Sequence, residues 1–121
     1  MPRHKHDHEA AERAVTLGWP GIEPVVTELL VWLQDYNWPV SRPLAPLLAA
    51  VGEPLVPYLE EILLGDDAIW TYWVIQCVVA DSVPAVTERL RPILERMATA
   101  PTGNEIAEEV DEAARAALLR A

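Results

Sequence analysis

At 121 residues the chain has the size of one domain, long enough to bury roughly two-thirds of the surface its unfolded form exposes. Its 19 acidic residues stand against 9 basic ones, and a net charge of −10 disfavours partners made of phosphate or anionic lipid, which reward Lys and Arg. A hydrophobic share of 51% with 23% charged residues excludes general disorder, and a single cysteine, Cys77, excludes an internal disulfide.

The N-terminus alternates His4, His6 and His8 beside Asp7 and Glu9. In an extended segment these imidazoles share one side, a geometry that suits Zn, Ni or Cu. The competing expectation is a terminus whose residues 1–6 are flexible and whose Asp7 caps a first helix running to Leu17, where Gly18 ends it.

A repeat follows. Glu23-Pro24-Val25-Val26-Thr27-Glu28-Leu29 returns as Glu53-Pro54-Leu55-Val56-Pro57-Tyr58-Leu59, and again as Val83-Pro84-Ala85-Val86-Thr87-Glu88-Arg89. Proline is welcome at the first helical position, where its missing N–H has no intrahelical partner, so Pro24, Pro54 and Pro84 predict three helix starts. Val25, Val26, Leu29, Leu30 and Leu33 then follow helical spacing, as do Leu55, Leu59, Ile62 and Leu63, and Val86, Leu90, Ile93, Leu94 and Met97. Pro92 predicts a kink in the third.

Between these starts the sequence predicts a second set of helices. Asp35-Tyr36-Asn37-Trp38 opens one and Asp67-Ala68-Ile69-Trp70 the next, with Asn37 and Asp66 as N-caps. Pro43 and Pro46 predict that the first of them is bent or starts late. Trp70, Trp73, Val74, Cys77 and Val78 predict the buried stripe of the second, with Cys77 a structural thiol. Thr102-Gly103-Asn104-Glu105 forms a capping box that opens the last, followed by Ile106, Val110, Ala113, Ala114, Ala117 and Leu118. With no Phe, bulky packing falls to Trp and Leu.

The expectation is an all-α domain over residues 1–121: a short α-solenoid of about seven antiparallel helices, three pairs after an N-terminal helix. Helix pairs opened by proline resemble HEAT-like repeats. His4-Lys5-His6-Asp7, Trp32-Leu33-Gln34-Asp35-Tyr36-Asn37-Trp38-Pro39-Val40, Asp67 with Trp70, and Pro101-Thr102 are similar to the signature of a bacterial family, domain of unknown function 5071. That resemblance spans nearly the whole chain and implies no catalytic residues.

No apolar stretch follows Met1-Pro2-Arg3-His4, and the run from Ala68 to Ala80, broken by Thr71 and Gln76, is too short for a bilayer, so a cytoplasmic protein is expected. Glu60 with Glu61 and Asp66 with Asp67 are adjacent carboxylates that do not face each other on a helix and have no His beside them. Catalysis is not expected, and neither is a cofactor.

In the expected topology the turns between paired helices share one edge, which gathers Gln34, Asp35, Tyr36, Asn37, Asp66, Asp67, Thr102 and Asn104, with Trp38 and Trp70 just inside. Aromatic anchors beside carboxylates suit a basic protein or peptide. The leading expectation is therefore a binding scaffold or adaptor, in one version an immunity protein against a basic toxin domain. Two alternatives remain open. One is a HEAT-like enzyme on nucleic acid using Trp38 with Asp35 or Trp70 with Asp67, which the charge disfavours; the other is metal binding through the three histidines. A homodimer through the Ala and Leu face of the last helix is a further option.

Overall fold

The computed structural model describes residues 8–34 and 41–120, and every regular element among them is helical. Helix α1 spans His8–Leu17 and ends at Gly18, whose φ of 63° is the left-handed conformation a helix stop requires. A short 3₁₀ turn, Glu23–Val25, leads into α2, Val26–Val31. Helix α3 covers Ser41–Val51; a second 3₁₀ turn, Glu53–Leu55, leads into α4, Val56–Leu63. Helix α5, Ala68–Val74, continues directly into a π turn over Ile75–Val79. Then come α6, Pro84–Thr99, the short α7, Gly103–Ala107, and α8, Val110–Arg120.

The prolines mark the starts as expected, with a refinement. Pro24 and Pro54 sit inside 3₁₀ lead-ins, while Pro84 is the first residue of α6 itself. Val26, Val56 and Val86, thirty residues apart in turn, are all buried. Corresponding acids join each segment to the next: the Tyr58 hydroxyl donates to Glu23 Oε2 at 3.4 Å, and Arg89 donates to Glu53 Oε2 at 3.3 Å. Both bonds are exposed, so each adds little energy; they report the register of neighbouring segments.

The interior prolines are accommodated. Pro43 lies in the first turn of α3, where its N–H would be unpaired anyway. Pro46 and Pro92 are inside α3 and α6, but both are exposed, so water is at hand for the carbonyls they leave.

The core is leucine-rich. Leu29, Leu30, Leu33, Leu44, Leu48, Leu55, Leu59, Leu90 and Leu94 are essentially inaccessible, joined by Ile22, Ile75 and Met97. Trp19, Trp32 and Trp70 pack against this core only in part. Such rings are large and carry an N–H that needs a partner, which keeps them at the periphery.

Three expectations are corrected. Of the expected stripe, Val74 and Val78 are buried, but Trp70, Trp73 and Cys77 are only half-buried, and Thr71, Ile75 and Val79 complete the interior face instead. β-branched residues fill the interior, and the buried Thr71 hydroxyl donates to the Ile62 carbonyl at 3.5 Å. The last predicted helix is two, because Glu109 adopts φ 61° between α7 and α8, and no right-handed helix continues through that conformation. As a result Ile106, expected in the stripe, is 55% exposed, whereas Val110, Ala113, Ala114 and Ala117 are buried. Helix α8 packs mainly on α6. Finally, the cap of α5 is Asp67 rather than Asp66.

Two backbone positions yield opposite expectations. Gly52 has φ 80° and ψ −146°, a region nearly exclusive to glycine, while an added Cβ would meet only Val83 Cγ2 at an ordinary 3.8 Å. Gly52→Ala should therefore lose about 1–3 kcal/mol through backbone strain alone. Glu109→Gly should gain about 1 kcal/mol by relieving the left-handed penalty. Urea unfolding followed by circular dichroism checks both; equal stability of the three proteins would contradict these assignments.

Candidate functional site

The turn ahead of α5 is organised by Asp67. Its backbone is extended, and its Oδ1 accepts from the Trp70 N–H at 3.0 Å, satisfying one of the donors a helix start leaves open. Asp66 is thereby left outside the helix. The Trp70 side chain turns toward the first segment, where its indole Nε1–H donates to the Leu30 carbonyl at 2.9 Å. Both members of the Asp67–Trp70 couple thus serve the backbone.

The start of α7 is fixed by the expected capping box. The Thr102 hydroxyl accepts from the Glu105 N–H at 3.2 Å, and Glu105 Oε1 accepts from the Thr102 N–H at 2.8 Å. The Glu105 carboxylate also receives both terminal nitrogens of Arg96 from the end of α6, one at 2.8 Å. Glu105 is buried, so the fork-to-carboxylate pair is partly desolvated and binds α7 to α6. Arg96, outweighing burial, holds the Glu105 carboxyl below the usual range, and the Thr102 N–H adds to this.

With α5 and α7 so placed, three adjoining hollows run between them. The first, of 260 Å³, is lined by Gly65, Asp66, Thr71 and Thr102 and shares Asp66, Ala68 and Asn104 with the next. That second hollow is the widest at 490 Å³, adding Asp67, Ile69, Ala107 and Glu108. The third, of 280 Å³, shares Ile69, Ala107 and Glu108 and adds Tyr72, Trp73 and Glu109. Together they form one trough. Asp66, Asp67, Glu108 and Glu109 are exposed along it, and none has an ion-pair partner among the described residues. Its apolar surface comes from Ile69, 48% exposed, and from Tyr72 and Trp73, whose rings meet edge to face at 5.0 Å.

The structure brings together Asp66, Asp67, Thr102 and Asn104 of the expected edge, whereas Gln34 does not line the trough. Trp70 is not on that edge; Tyr72 and Trp73 supply the aromatic surface instead, because Thr71, Ile75 and Val79 complete the interior face of α5. Asp35, Tyr36, Asn37 and Trp38 lie outside the described residues, as do His4, His6 and the side chain of His8. Among the described residues no three His, Cys, Asp or Glu side chains are placed to share a metal, and no helix is long and apolar enough to cross a membrane.

The model of the family named domain of unknown function, 5071, matches residues 1–118. The chain belongs to this family. Among curated proteins none matches it.

In this family member Cys77 is a poor nucleophile. Burial, and then Asp81, push its thiol up to about 11, leaving a thiolate fraction on the order of 10⁻⁴ at neutral pH. Its side chain is half-buried rather than in the buried stripe the sequence predicts.

Acid should loosen the α7 end of the trough. The folded value of Glu105 lies below its unfolded one, so the contribution is complete above about pH 4.3 and is lost as pH falls through the depressed value. Arg96→Met should cost about 1–2 kcal/mol at neutral pH and flatten the acid limb of the stability curve. Urea midpoints between pH 3 and 7 test this; parallel limbs for the two proteins would contradict it.

Proposed function

We propose that the protein is a binding scaffold or adaptor of HEAT-like, short-solenoid architecture, acting in the cytoplasm and receiving a basic protein or peptide in the α5–α7 trough. The solenoid reading is supported by the thirty-residue phase of Pro24, Pro54 and Pro84 and by the matching links from Glu23 and Glu53 to the following segments. The observation that carries the binding reading is the trough. Four carboxylates without basic partners among the described residues rim a surface of Ile69, Tyr72 and Trp73, and no described Lys or Arg lines it.

Such a surface favours a chain that alternates cations with apolar side chains. Cations meet the rim, where steering by the net negative charge speeds encounter, and the apolar groups cover the aromatic rings. An immunity-type role against a basic partner is the concrete form of this reading. Nothing in the trough favours nucleic acid, whose phosphates would meet the acidic rim.

A short peptide alternating lysine and leucine should bind saturably, more weakly as salt rises, and its glutamate–leucine counterpart should not. Asp66→Asn and Glu108→Gln should each weaken binding about threefold, the scale of one exposed ion pair. Calorimetric titration reads these effects; equal affinity for the two peptides would overturn the proposal.

A further inference from the structure

A second concavity lies away from the trough. Thr27 and Leu30 of α2, Tyr58, Glu61 and Ile62 of α4, and Trp70 of α5 enclose 150 Å³, about five water volumes. Leu30 and Ile62 are buried, Tyr58 and Trp70 are half-buried, and Glu61 and Thr27 are exposed.

The hydrogen-bond inventory narrows what fits there. The Trp70 N–H is committed to the Leu30 carbonyl and the Tyr58 hydroxyl to Glu23, so both rings offer the cleft carbon and π surface rather than donors. Among the described residues no Lys, Arg or His lines it. Glu61 has no ion-pair partner among the described residues. An anion would meet a carboxylate and only the Thr27 hydroxyl as a donor, and a neutral hydrocarbon would leave that carboxylate unanswered. A hard metal ion needs several oxygen ligands, and a primary ammonium needs three acceptors. A methylated ammonium needs none: it is a soft cation, attracted to aromatic rings and to one carboxylate. The trimethylammonium head with its attached carbon has five heavy atoms, matching the space.

We infer that this cleft binds a methylated ammonium head, held between Tyr58 and Trp70 with Glu61 as counter-charge. The inference does not depend on the trough, since none of Tyr58, Glu61 and Trp70 lines it.

NMR titration of the whole protein with tetramethylammonium chloride, against sodium chloride at matched ionic strength, should shift the Trp70 indole N–H signal saturably. Choline should bind and its neutral tert-butyl isostere should not. Glu61→Gln and Tyr58→Leu should each weaken binding about tenfold while circular dichroism stays unchanged. Comparing choline with a peptide carrying trimethyl-lysine separates a free metabolite from a modified protein as the source. Absence of saturation, equal binding of the neutral isostere, or unchanged affinity in Glu61→Gln overturns the inference.

Discussion

The hydrogen bond from the Trp70 indole to the Leu30 carbonyl is the contact on which the rest of the arrangement depends. It spans forty residues and ties the first turn of α5 to α2 at 2.9 Å. The same carbonyl also accepts from the Leu33 N–H at 3.0 Å, as the chain leaves α2. An indole N–H that lost this partner while its ring stayed half-buried would carry a desolvation cost of about 1–3 kcal/mol. That cost fixes which way α5 faces.

Once α5 is fixed, its side chains divide into three sets. Trp70 faces the first segment and walls the α2–α4 cleft. Thr71, Val74, Ile75, Val78 and Val79 enter the core, the last three from the π turn. Asp66, Asp67, Ile69, Tyr72 and Trp73 are left for the trough, whose opposite bank is α7. That bank depends in turn on Arg96, which joins α6 to the Glu105 of the capping box. Two links between segments thus position a surface that neither helix would form alone.

Local signals were legible in the sequence. The proline phase, the Gly18 stop and the Thr102–Glu105 box each act within one helical turn, and each is found in place. The cap of α5 was within reach as well: an acid three residues before Trp70 has the spacing of a side chain accepting from the N3 amide, which points to Asp67 and away from Asp66. What was hidden depends on distant partners. No local pattern places the Trp70 N–H on residue 30 or Arg96 on Glu105. Helical spacing alone groups Val74 and Val78 with Trp70 and Trp73, whereas the interior face is completed by Thr71, Ile75 and Val79, whose branched side chains fill it more fully than indole does. Left-handed Glu109 carries no sequence mark, because glutamate is not a residue of choice there.

The division of α5 is tested most directly by hydrogen exchange of the Trp70 indole N–H under native conditions. The structure predicts an exchange slowed to the rate at which the α2–α5 contact opens, well below that of free indole. Exchange at the free-indole rate would show that Trp70 is not tied to Leu30, and the orientation of α5 on which both the trough and the ammonium cleft rest would be wrong.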